Sequence, residues 1–114
     1  MQQTAVITTD FSESSLNAAR FAAALAKPLG IGRIILYHSY GNVLVASEVP
    51  VTEVEVSSAH ARSLQSLEMM EKELRPALTE NNMLVELAAN SLPLTIGAEQ
   101  LVKQWNASLV VAGA

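Results

Sequence analysis

Cysteine is absent from the 114 residues. That excludes disulfides, thiolate metal centres and a cysteine nucleophile, and it fits a cytoplasmic protein. Charge is sparse at 16% and leans acidic, with 7 Lys and Arg against 11 Asp and Glu for a net charge of -4. No basic run occurs, so the electrostatic footprint of a phosphate-backbone binder is missing and nucleic acid is not an expected partner. Nor does any stretch reach the roughly 18 uninterrupted apolar residues of a membrane span. The opening MQQTAVITTD lacks the basic region and apolar core of a signal peptide. The dinucleotide GxGxxG, the GxxxxGK[ST] phosphate loop and the GxSxG nucleophile elbow are all missing. Asp10 is the only aspartate, which leaves no acidic cluster of the kind that holds a divalent metal in a response-regulator receiver.

What is present is apolar: 50% hydrophobic residues, with a mean hydropathy of +0.28. Such a chain has room for one small domain around one core and is too apolar for disorder. It is also suited to hiding part of its apolar area against a partner surface.

The organising stretch is residues 5–26, AVITTDFSESSLNAARFAAALA. Residues 5–9 are apolar and β-branched, as in a strand buried on both faces. Residues 10–14 interrupt with groups that favour turns and caps. Leu16, Ala19, Ala23, Ala26 and Leu29 then recur at helical spacing. Ser12 is the expected N-cap, with Glu13 at the positive end of the helix dipole. Ser15 stands where a capping box has Glu or Gln, so the box is incomplete. Pro28 and Gly30 mark the helix end.

Residues 33–38, RIILYH, read as a second buried strand. Gly41 and Asn42 signal a turn, Val43, Leu44 and Val45 could pack back on the core, and Val49 before Pro50 reads as extended. Residues 52–56 alternate polar and apolar, as in a short edge segment or extended loop. Ser57 or Ser58 is the expected cap of a second helix, whose stripe is Leu64, Leu67, Met70, Glu71, Leu74 and Leu78. Arg62, Gln65, Glu68, Lys72 and Arg75 form its solvated face. Pro76 should kink or shorten it. After an Asn81-Asn82 turn, residues 83–89 form a third strand. A third helix follows with Thr95 as cap and Ile96, Leu101, Val102 and Trp105 as its stripe. Asn106 ends that helix, and residues 108–112 form a fourth strand.

The order β-α-β-α-β-α-β predicts an α/β fold, a Rossmann-like open parallel sheet with helices on both faces. The chain stops at Gly113-Ala114, just past an apolar strand that would need cover. Truncation after the fourth strand is therefore expected, or cover supplied by another chain.

Ligands of such sheets bind outside the carboxyl ends of the strands, where Asp10 stands. It reads either as a turn residue or as an acceptor for a ligand hydroxyl or amine. No base or nucleophile partner is visible to make it catalytic. Ser12, Ser14 and Ser15 either cap the helix or donate to a phosphate. His38, closing a buried strand, is expected to be a hydrogen-bonded structural residue and His60 to be solvated. Met69, Met70 and Met83 are expected in packing.

The segment Thr8-Thr9-Asp10-Phe11-Ser12, after an apolar strand and before a helix of small residues, resembles the P-T-D-x-S start of the universal stress protein (UspA) family. The run Ile35-Leu36-Tyr37-His38-Ser39-Tyr40 is similar to that family's second strand, often L-L-H-V. Residues 106–113, NASLVVAG, resemble its A-D-L-I-V-M-G strand. The resemblance spans the whole chain. It implies a Rossmann-like fold of five parallel strands, dimers formed through the edge of the last strand, and in some members two domains in tandem. One branch binds ATP, with adenine near the ends of strands 1 and 2 and phosphates on a G-x-x-G, nine residues, G-[ST] loop after strand 4. Carried onto this chain, Asp10 would contact the nucleoside, Thr8, Thr9 and Ser39 would line the adenine side, and Gly113 would open the phosphate loop. Departures are Thr8 in place of proline, Asn90 near where glycine is common, and an end one residue after Gly113. The resemblance thus implies that residues 1–114 form a cytoplasmic stress-response domain, single or the first of a pair. It would bind adenine nucleotide (ATP) and act through assembly. The alternatives are a dimerisation or interaction module without nucleotide and a weak nucleotide hydrolase.

Overall fold

A computed structural model describes residues 3–26, 28–40, 53–80 and 83–112. Four strands, β1 (Gln3–Thr8), β2 (Ile31–Ser39), β3 (Leu84–Asn90) and β4 (Leu109–Ala112), alternate with three helices, α1 (Glu13–Ala26), α2 (Glu53–Glu80) and α3 (Leu94–Trp105). The sheet is parallel throughout, in the order β3-β2-β1-β4. This is the expected Rossmann-like α/β arrangement. From β1 the chain winds outward through β2 and β3, then crosses to the other side of β1. The order reverses at β1, and the carboxyl ends of β1 and β4 (Thr8 beside Ala112) flank the switch point.

The two sheet faces are covered differently. Ala5, Ile7, Ile34 and Leu36 point toward α1 and α2, where they meet Ala19, Ala23, Leu67, Met70, Leu74 and Leu78. The alanines of α1 let that helix lie close on the strands, and the leucines of α2 fill the remaining depth. Full burial of one such leucine contributes about 1.5–3 kcal/mol. On the opposite face, Val6, Ile35 and Tyr37 pack against α3 through Leu101, with Val102 and Trp105 beside it. Gly97 makes that contact possible, because a Cβ there would stand 1.8 Å from the Tyr37 hydroxyl oxygen.

Helix ends follow local chemistry. The Ser12 hydroxyl accepts the Ser15 amide at 3.1 Å, so Ser12 caps α1 as expected. Gly30, at φ 75°, turns the chain into β2. Asn106, at φ 51°, closes α3 in the left-handed conformation, with its amide bonded to the Val102 carbonyl.

Several sequence expectations are corrected. Residues 53–56 are helical, and α2 begins before Ser57 and Ser58. Four alternating residues are too short a pattern to oppose a helix already nucleated downstream. Pro76 does not shorten α2, which runs on to Glu80. A proline costs one backbone bond, and Leu74 and Leu78, buried on either side of it, hold the last turns in place. Thr95 lies inside α3. Its N-cap is Pro93, which makes no side-chain cap bond. Ile96 is 48% exposed, and Gly97 takes the buried position instead. Leu29 lies beyond α1 and is exposed. The expectations for Gly41, Asn42, Val43, Leu44, Val45, Val49, Pro50, Asn81 and Asn82 lie outside the described residues. No helix among the described residues is long and apolar enough to cross a membrane.

Candidate functional site

The candidate site is the carboxyl edge of β1 and β2, where the turn from β1 into α1 is built around one carboxylate. Oδ1 of Asp10 accepts the Ser12 amide at 2.9 Å and the Ser15 hydroxyl at 2.7 Å. Ser12 and Ser15 are joined hydroxyl to hydroxyl at 3.2 Å, and the Asp10 amide reaches back to the Ser15 hydroxyl at 3.4 Å. This explains the incomplete capping box. The amide of the N-cap residue, which a Glu three residues on would normally accept, is accepted by Asp10 from the other direction. Bonds from the Ser12 hydroxyl, the Ser15 hydroxyl and the Ser12 amide hold the Asp10 carboxyl down to about 2. It is an exposed, fixed anion at neutral pH. The Ser12 amide and the Ser15 hydroxyl both bond to Oδ1.

Phe11, next in the turn, has φ 66°. That conformation is uncommon for a bulky residue. The Thr9 hydroxyl accepts the Phe11 amide at 3.0 Å, and the Phe11 ring lies 4.4 Å from that of His38. His38 Nδ1 is 2.7 Å from the Thr9 carbonyl. A carbonyl only accepts, so Nδ1 carries the proton, and in the neutral ring Nε2 is left as an acceptor. His38 is thus the hydrogen-bonded structural residue expected. His60 corrects its expectation: it is half-buried, with Nδ1 3.3 Å from the Tyr40 hydroxyl, because α2 begins early enough to pack it on the end of β2.

A second clamp ties β2 to the loop before α3. The Tyr37 hydroxyl donates to Asn90 Oδ1 at 2.6 Å, and the Leu92 amide donates to the same oxygen at 3.1 Å. Burial pushes the Tyr37 phenol up, although its bonds to Ser39 and Asn90 oppose this. The Ser39 hydroxyl donates to the Leu92 carbonyl.

Thr8, Thr9, Asp10 and Ser39 do share this edge of the sheet. Thr8 and Thr9 are buried, and Thr8 donates to the Val111 carbonyl at 3.4 Å across to β4. The Thr9 amide bonds to the Tyr37 carbonyl at 2.9 Å, continuing the ladder past β1. Asp10 is exposed in front of them. Gly113 lies outside the described residues. Phe11, Tyr40, His60 and the Tyr37–Asn90 clamp were missed as parts of this edge. For Asn90 a signal existed, since an Asn that accepts the amide two residues on is a local turn device. For the aromatic pairs none did, because their partners are distant in sequence.

Residues 1–114 match the model of the universal stress protein family. A universal stress family protein from Burkholderia pseudomallei superimposes with TM-score 0.74 at 14% identity, over 98% of this chain and 81% of that one. A protein from Mycobacterium tuberculosis H37Rv gives 0.67 at 20% identity, over 97% and 70%. A universal stress protein in complex with cAMP gives 0.64 at 21% identity, over 96% and 70%. At such identities the structural likeness carries the fold. No curated protein matches the chain in sequence.

Proposed function

We propose that this chain, which belongs to the universal stress protein family, binds an adenine nucleotide, ATP first among them, at the carboxyl edge of β1 and β2. It acts through assembly or regulation rather than turnover. One observation carries the reading: Asp10 is an ionised acceptor, held in one orientation by two hydroxyls and an amide, directly past β1 at the switch point. A fixed acceptor of this kind suits a ribose hydroxyl or an exocyclic amine, since its ordering cost is met before the ligand arrives. The cAMP complex of a structurally similar protein supports adenine as the base. In this reading Thr8, Thr9 and Ser39 shape the floor beside Asp10, and Gly113 begins the phosphate contacts.

A second reading, an assembly module of the same fold with no nucleotide, is favoured by the Thr8 and Ser39 hydroxyls. Both are already committed to backbone carbonyls, of Val111 and Leu92. Calorimetric titration with ATP separates the two. Saturable one-site heat that weakens roughly tenfold or more in Asp10→Ala supports the nucleotide reading, that being the scale of a hydrogen bond to a charged group. Heat unchanged in Asp10→Ala removes Asp10 from the site. No heat from a folded sample leaves the assembly reading.

A further inference from the structure

Between the β1–α1 turn and α2 lie two hollows that share Phe11 and Ser66 as a common wall. One, of about 260 Å³, is lined by Phe11, Ser12, Leu16, Met69, Met70 and Glu73. The other, of about 210 Å³, is lined by Phe11, His38, Tyr40, Arg62 and Ser63. Each alone is smaller than the roughly 300 Å³ at which small-molecule sites begin, and the two taken together exceed it. Their chemistry differs along that length. The first half is apolar and soft, with two thioethers that adapt to a flexible chain. The second is also mainly apolar but carries the Arg62 guanidinium.

The charges give the groove a direction. Glu73 is engaged by the Arg20 guanidinium at 3.4 Å in an exposed ion pair. The Asp10 carboxylate is bonded to Ser12 and Ser15 on the α1 side. Arg62 makes no ion pair among the described residues, and its Nε donates to the Ser58 carbonyl at 3.4 Å. His38 and His60 carry no fixed negative charge. An occupant with an apolar body and one anionic end is therefore complementary, and a cationic one is not.

We propose that the two hollows act as one bent groove for a medium-chain carboxylate, its chain against Met69 and Met70 and its carboxylate at Arg62. None of Thr8, Thr9, Asp10 or Ser39 lines the groove, which adjoins the nucleotide edge through Phe11, His38 and Tyr40 without sharing those four residues.

The test is a titration of the 13C-methyl methionine NMR spectrum with sodium octanoate, with octylamine and octanol as comparators. Met69 and Met70 should shift saturably while Met83 stays still. Octylamine and octanol should bind at least tenfold more weakly. Arg62→Gln should weaken octanoate roughly fivefold or more, and Met69→Glu should abolish saturation. Both substitutions are at exposed positions, so circular dichroism should stay that of the wild type. No saturable shift at Met69 and Met70 would overturn the proposal. So would equal binding of the three probes, or an Arg62→Gln variant that binds as well as the wild type. ATP added to the octanoate-saturated protein should leave the shifts in place. Displacement would overturn the proposal by merging the groove with the nucleotide site, whereas failure of ATP to bind at all would leave the octanoate result unaffected.

Discussion

On one face of the sheet, α1 and α2 bury Ala19, Ala23, Leu67 and Leu74 against Ile7, Ile34 and Leu36; on the other, α3 alone meets Val6, Ile35 and Tyr37. The first face is held by volume. Its buried side chains are aliphatic apart from Met70, spread over two helices and two strands, and no single contact defines the fit. The second is held by a glycine under a tyrosine and by the hydroxyl of that tyrosine on Asn90. A face held by volume tolerates changes of shape but not of size, whereas a close-contact face fails on the addition of one methyl. The second face also reaches the carboxyl edge, because the Tyr37–Asn90–Leu92 bonds fix the loop where β3 turns into α3. Here fold and site share residues.

Four substitutions or conditions sharpen or break this contrast. Leu67→Ala, on the volume face, should cost about 2–5 kcal/mol in urea denaturation, since Leu67 is fully buried in the first core. Gly97→Ala should cost about 1–3 kcal/mol, because the added methyl would stand 1.8 Å from the Tyr37 oxygen. Here the sign decides. Helix propensity alone would make the change stabilising by up to about 1 kcal/mol, and a stabilised variant would refute the close-contact account of the second face. Ser12→Ala should cost about 1 kcal/mol by loss of the α1 cap, with no change in near-ultraviolet signal from Tyr37 and Trp105 on the other face.

The smallest effect is on the acid limb. The Asp10 carboxyl is lowered from 3.8 to about 2 in the folded state. Between those values the unfolded chain binds more protons, so stability rises with pH through that window and is lost as pH falls through about 2. Asp10→Asn should flatten the stability profile between pH 4 and pH 2 and leave it parallel to wild type above pH 5. An unaltered slope would show that the carboxylate is not held by Ser12 and Ser15 in solution.

Much of the fold was legible because its signals are local. β-branched runs at β1 and β2, alanines at helical spacing in α1 and the leucine stripe of α2 each report burial through the period of their own segment. The N-cap at Ser12 and the stop at Asn106 were readable for the same reason. What failed was where local and tertiary terms compete. Residues 53–56 alternate but continue a helix, Pro76 is carried by the packed turns around it, and Ile96 yields its buried place to Gly97 because Tyr37 already fills the space. At the site, Asp10 stood out as the lone aspartate past a strand, yet its partner Ser15 read as a break in a capping box, a cap or a phosphate donor, and not as the group that holds the carboxylate.

By itself the sequence determined the alternation of strands and helices, the parallel sheet with helices on both faces, and the polar turn that places Asp10 at a strand end. These follow from periodicity and backbone chemistry over a few residues. Only the tertiary structure decided which face each helix covers, that Gly97 sits under Tyr37, that the Phe11 ring lies against that of His38, and that Arg62 and Met69 of α2 line neighbouring hollows. Those contacts join residues tens of positions apart, and their existence depends on register and on space already occupied, which no local pattern encodes.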